Sequence, residues 1–192
     1  MNDTSGKKEL ENLGEQQLDS ELIFDGRLLK VYKDRVKLPN EHESTREYIR
    51  HNGAVCIVPL TDDGNVVIER QFRYPFHRVI TELPAGKLDS PDEDPASAAA
   101  RELLEETGIT ADRWIPIGAL IPTCAYSTEV IHMFIAAELH FGERQLDADE
   151  FLNVETIALE DFVEKILRGE IEDSKTQTAV LKAWALKQKG IL

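Results

Sequence analysis

The sequence predicts an α/β sandwich with a mixed sheet rather than an alternating βαβ fold. Three observations carry this expectation. The elements run in the order strands, one helix, more strands, two closing helices. Ala54–Leu60 is a continuous apolar run rich in Val, which suits a strand buried on both faces. A helix over residues 94–107 is marked at both ends. With 192 residues, 42% of them hydrophobic, the chain has enough apolar surface for one domain with a small appendage.

Residues 1–20 are polar (Lys7, Lys8, Glu9, Glu11, Glu15) and are expected to be flexible or loosely helical. Leu22–Phe24 and Leu28–Leu38 read as strands separated by an Asp25-Gly26 turn, and Thr45–Ile49 alternates as a third. Residues 21–50 thus form an N-terminal strand segment, and 51–192 the main domain. Asp62-Asp63-Gly64-Asn65 is a turn cluster, so Val66–Tyr74 is expected to return beside Ala54–Leu60 as a hairpin partner. Arg78–Leu83 is a short strand broken by Pro84-Ala85-Gly86. In the next helix, Asp94 suits the N-cap, Pro95 the first turn and Gly108 the residue past the end. Further strands are expected at Trp114–Ile121, Val130–Leu139 and Phe151–Ile157, then helices at Leu159–Arg168 and Ser174–Lys189.

The net charge is 22 − 36 = −14. An acidic surface without a basic stripe disfavours nucleic acid as a partner. No apolar run approaches the ~20 residues of a membrane span, so a membrane role is not expected. No signal segment is visible, and Cys56 and Cys124 make neither a disulfide framework nor a zinc pattern, so the expected compartment is the cytoplasm. An anionic substrate on such a protein requires divalent cations between it and the carboxylates.

The stretch Arg101-Glu102-Leu103-Leu104-Glu105-Glu106-Thr107-Gly108 holds the most chemistry. At about 100° per residue, Glu102, Glu105 and Glu106 share one helix face about 100° wide. Crowding them in the last turn costs about 1–2 kcal/mol, from like-charge spacing and the helix dipole. A bound divalent cation reverses the sign of that term. Carboxylates on a helix beside a Gly/Pro/Asp loop suit Mg²⁺ or Mn²⁺, not zinc.

Glu93, seven residues, then Arg101-Glu102-Leu103-Leu104-Glu105-Glu106-Thr107-Gly108-Ile109 resembles the Nudix box. One departure is that six residues, not five, separate Gly86 from Glu93, as if Asp89-Ser90-Pro91-Asp92 held an insertion. Gln71-Phe72-Arg73-Tyr74-Pro75, Glu82-Leu83-Pro84-Ala85-Gly86, Leu38-Pro39 with Ser44-Thr45-Arg46-Glu47, and Gly169-Glu170-Ile171 with Asp173 and Lys175-Thr176 resemble the ADP-ribose pyrophosphatase branch. The resemblance implies a Nudix-type α/β/α sandwich with a small N-terminal β-sheet that exchanges or packs across a homodimer.

It also implies site roles. Glu102, Glu105, Glu106 and the Ala85 carbonyl are the expected metal ligands, with Mg²⁺ as cofactor and Mn²⁺ as a substitute. Glu105 and Arg101 also stand as catalytic candidates, Arg101 as an orienter of the glutamates. Glu129, which closes the Pro122–Thr128 loop, is the candidate base; Cys124 and Ala125 stand there where the branch has Pro and often Gly. Arg73 is the candidate diphosphate contact, since a guanidinium matches phosphate oxygens in bidentate fashion. Arg46 and Glu47, with Tyr48, are candidates for a base or ribose pocket supplied by the partner subunit. His132, Trp114 and Trp184 read as core. The implied activity is metal-dependent hydrolysis of nucleoside diphosphate sugars, ADP-ribose first. The alternatives are GDP-mannose or another sugar nucleotide, or a non-catalytic regulator of the same fold that binds such a ligand.

Overall fold

The computed structural model describes residues 13–144 and 151–192; the expectations for residues 1–12 lie outside them. The chain divides into two compact units. One runs to His51 and takes in Thr123–Glu129; the other comprises Asn52–Pro122 and Val130–Leu192.

The first unit is an antiparallel sheet of three strands in chain order: β1 (Gln16–Asp25), β2 (Lys30–Lys37) and β3 (Glu43–Arg50). Strand β1 takes in Gln16–Ser20, which the sequence reading places in the flexible lead. The reason is cross-strand polar pairing. Gln17 Nε2 donates to Asp34 Oδ2 at 2.7 Å, and Arg35 Nε donates to Asp19 at 2.7 Å. Such pairs hold a strand without apolar alternation, so no periodic signal marks it. Tyr32 and Tyr48 stack at 5.9 Å, and the Arg50 guanidinium lies 4.0 Å from the Tyr32 ring centre. The Thr123–Glu129 segment docks on the end of β3. Ile49 N–H donates to Tyr126 O (2.9 Å), Thr128 N–H to Ile49 O (3.0 Å), and His51 N–H to Thr128 Oγ1 (2.9 Å).

In the second unit, β4 (Ala54–Pro59) is buried at every position. It lies between β7 (Ala85–Lys87), antiparallel, and β9 (Ile131–Phe141), parallel, and β8 (Ile109–Leu120) closes the sheet against β9. A second sheet has the order β10 (Leu152–Ala158), β5 (Asn65–Arg73), β6 (Arg78–Glu82). The expected hairpin between β4 and β5 is therefore corrected: among the described residues no β-ladder joins the two strands, and only the isolated Leu60–Val66 bridge pairs their chain segments. The Thr61–Asn65 turn closes as expected, with Thr61 N–H on Asn65 O at 2.9 Å. Both strands carry apolar residues on both faces, however, and such a strand buries them as well in a second layer as beside its neighbour. The short β7 is also absent from the sequence reading, because three residues around a glycine carry no period.

Alternate residues of β4 serve two cores. Ala54, Cys56 and Val58 pack with α2 (Leu159–Leu167) and α3 (Ser174–Gln188), through Phe162, Ile166, Ala179 and Val180. Val55 and Ile57 pack with α1 (Pro95–Thr107) through Ala98, Ala99 and Leu103. This gives the mixed α/β sandwich that the sequence predicts. Trp114 and Trp184 pack against these cores from partly buried positions. Cys56 is fully buried, which pushes its thiol up to about 12, and Cys124 is exposed; both are free. Among the described residues, no helix is long and apolar enough to cross a membrane.

Candidate active site

Helix α1 begins and ends where local chemistry dictates. The Asp94 side chain accepts from Ser97 N–H at 3.0 Å. Gly108 adopts a φ of 72°, and its N–H closes on Leu104 O at 2.9 Å. A Cβ at Gly108 would stand 2.6 Å from Gly142 O, so glycine is needed there twice over. These ends set the register that puts Glu102, Glu105 and Glu106 together in the last turns.

Arg101 pairs with several carboxylates on and beside that face. Its Nη1 donates to Glu102 at 2.8 Å and to Glu105 at 3.1 Å, while Nη2 reaches Glu93 and Lys87 O, both at 3.3 Å. Partial burial lowers its pKa, but the charges of Glu102, Asp89 and Glu93 outweigh that and leave it raised. Arg101 is therefore a fixed cation that neutralises part of the four-carboxylate crowd. The extra residue before Glu93 is absorbed in an exposed loop. Asp89 N–H donates to Glu93 Oε2 at 2.6 Å, and Leu88 N–H to Gly53 O at 3.0 Å.

Strand β7 runs against the glutamates. Ala85 N–H donates to the buried Glu106 at 3.0 Å. Gly86 is in such close contact with Glu102 that a Cβ would fall 2.0 Å from the carboxyl carbon. The Ala85–Gly86 backbone is thus a cradle for two carboxylates, and a side chain at Gly86 would have to displace the Glu102 carboxylate from its present place. The donor set is carboxylate and backbone oxygen, which suits Mg²⁺ or Mn²⁺. Among the described residues, no three acidic, His or Cys side chains are already closed into a cage.

Arg73 has a partner that the sequence reading does not anticipate. Its Nε and Nη2 make a bidentate pair with Glu82, at 2.6 and 2.8 Å. Lys175 Nζ donates to the same carboxylate and lies 3.0 Å from Asp173. Burial raises the Glu82 pKa, but the Arg73 and Lys175 contacts prevail and leave it below the ordinary value. Burial opposes the charge on Lys175 as well, and Asp173 and Glu82 hold its pKa above normal. Glu69, also buried, stands opposite Glu82 in the β5–β6 register. Lys175, Asp173 and Glu69 are the residues that sequence reasoning gives no role; their separation along the chain hides the cluster.

The remaining candidates belong to the first unit. Glu129 is held by Ser127, whose Oγ accepts from the Glu129 N–H at 3.1 Å, and its carboxylate is 3.9 Å from His51 Nε2. Arg46 is exposed and paired with Glu15, and the exposed Glu47 lies opposite Lys33 in the β2–β3 register. In the second unit, His132 is partly buried on β9.

Residues 50–178 match the NUDIX domain, and residues 15–49 match the nucleoside diphosphate sugar hydrolase N-terminal domain. A Bacillus subtilis protein named ADP-ribose pyrophosphatase is 40% identical over 173 residues, 89% of this chain and 93% of that one. A Bacillus methanolicus protein named methanol dehydrogenase activator is 39% identical over 170 residues, 86% of this chain and 90% of that one. A solved structure titled as an ADP compounds hydrolase superposes with a TM-score of 0.81, covering 93% of this chain and 97% of that one; at 22% identity it shows the fold. With the glutamate helix in register and the matched region spanning residues 50–178, the chain belongs to the Nudix family.

Proposed function

We propose that this protein hydrolyses the diphosphate bridge of nucleoside diphosphate sugars, ADP-ribose foremost, to a nucleoside monophosphate and a sugar phosphate. One observation carries the reading. Glu102, Glu105 and Glu106 share one face of α1, Arg101 braces Glu102 and Glu105, and Glu102 and Glu106 lie against the Ala85–Gly86 backbone. The 40% identity to a protein named ADP-ribose pyrophosphatase supports the substrate class.

Glu102, Glu105, Glu106 and the Ala85 carbonyl would hold Mg²⁺, with Mn²⁺ as a substitute. The bound cation supplies charge neutralisation of the diphosphate and a lowered pKa for attacking water. Without it, a chain of net charge −14 repels a dianionic substrate. Arg101 orients the glutamates and limits their mutual repulsion. Arg73, with its side chain 41% exposed, can turn from Glu82 to a phosphate while Lys175 stays on the carboxylate. Glu129 is assigned the base, and Arg46 and Glu47 substrate contacts, on the resemblance of their segments.

We place the protein in the cytoplasm, where its two free thiols are stable. We also assign it as a homodimer. Strand β1 is exposed along its whole length and presents Leu22, Ile23 and Phe24, each at least 43% accessible. Such an edge is a template for pairing with a second copy.

The test is release of monophosphate from ADP-ribose, GDP-mannose and UDP-glucose side by side, with and without chelator. ADP-ribose should turn over fastest, chelator should abolish the reaction, and Glu106→Gln should cut it by orders of magnitude with the fold intact. Undiminished turnover in chelator overturns the metal assignment; faster release from GDP-mannose moves the substrate and leaves the reaction. Glu129→Gln tests the base separately, since turnover near wild type would place the base elsewhere.

A further inference from the structure

We propose that the first turn of α3 is a positioning device for the metal-binding backbone, acting through Lys175 and Thr176; this rests on the reading of the Glu102, Glu105 and Glu106 face as the cation site.

Helix α3 meets the end of β6 by two polar contacts, one of them on a carboxylate that Arg73 also holds. Lys175 Nζ donates to Glu82, whose side chain is 5% exposed. The fully buried Thr176 Oγ1 accepts from the Leu83 N–H at 2.9 Å. Asp173 ties the two together. It caps α3 by accepting from Thr176 N–H at 3.0 Å, and lies 3.0 Å from Lys175 Nζ. Glu82 and Leu83 are thus gripped at successive residues by successive residues of one helix turn.

The short run of chain beyond Glu82 gives the grip its consequence. Only Leu83 and Pro84 separate Glu82 from Ala85. Proline fixes its own φ, and Pro84 O accepts from Ile57 N–H at 2.9 Å, so the link has little slack. Ala85 then donates to Glu106, and Gly86 touches Glu102. Mg²⁺ demands near-ideal octahedral geometry, and a small shift of this backbone moves two carboxylate supports at once. A buried ion pair is a poor source of net stability against an apolar replacement, so placement is the role left for this one. Lys175 and Thr176 are therefore positioning residues. They act on Glu102 and Glu106 through the Leu83–Gly86 backbone.

The experiment is Mn²⁺ titration of the substrate-free protein, read by the loss of the free-ion electron paramagnetic resonance signal, with melting curves to verify folding. Lys175→Met and Thr176→Val should each raise the Mn²⁺ dissociation constant about tenfold, the scale of an outer-shell partner. Thr176→Ser, which keeps the hydroxyl, should restore wild-type affinity. If Lys175→Met does not fold, the Thr176 pair decides. Glu106→Gln separates the two readings. If it loses Mn²⁺ while folded Lys175→Met or Thr176→Val binds within twofold of wild type, the positioning role is overturned and the cation site stands. If Glu106→Gln itself keeps full affinity, both fall.

Discussion

Two residues are determined by what surrounds them rather than by their type. Gly86 has no room for a Cβ, because the Glu102 carboxyl occupies that place. Gly86→Ala therefore displaces the Glu102 carboxylate, and a misplacement of about 1 Å at a reacting centre is worth about 100-fold in rate. We expect a fall of that order in kcat, measured as monophosphate release, with the protein still folded by circular dichroism. Glu82 gives a pH prediction. Its folded pKa lies below its ordinary 4.5, so its pairing contributes stability above that value and loses it as pH falls through the depressed one. Replacing it with Gln leaves Arg73 without its anion and Lys175 with Asp173 alone, at a cost of roughly 3 kcal/mol near neutral pH. Urea unfolding should show that gap at pH 7 and a closing gap below pH 4.5. An unchanged gap in acid would assign the stability to packing.

Helix α1 shows what an element can reveal of itself in advance. Asp94, Pro95 and Gly108 all act within a turn of the residues they control, so the bounds of the helix are readable from the sequence, and its glutamate face from the spacing of the glutamates. Asp94→Ala removes the cap bond to Ser97 and should lower stability by about 1 kcal/mol in chemical unfolding, with turnover unchanged. The strands behave otherwise. Nothing local tells β5 to pair with β10 and β6 instead of β4, because the buried run Val66, Val67 and Ile68 is apolar on both faces and names no neighbour. The partner of Glu82 is hidden for a related reason: Lys175 lies 93 residues away, and neither residue type announces the other.

For the molecule as a whole, the governing fact is a charge of −14 with several carboxylates drawn to one helix face. A cation that binds the native state alone stabilises it by mass action, about 2.7 kcal/mol at a hundred times its dissociation constant. Millimolar Mg²⁺ should therefore raise Tm beyond what NaCl of equal ionic strength does, and Glu106→Gln should remove that excess; equal shifts in both salts would mean screening alone. The three acidic side chains and their helix are legible from spacing, and the sandwich from element order. The discontinuity of the first unit is not, since Thr123–Glu129 joins β3 across some seventy intervening residues.

That discontinuity bears on how the chain is made. Synthesis runs from the amino end, and early segments start folding as they emerge. The β1–β3 meander can form first, yet the Ile49 amide and carbonyl remain without Tyr126 and Thr128 until the ribosome has passed them. The first unit to be started is therefore among the last to be completed, and a fragment cut at His51 would leave that strand end bare to water.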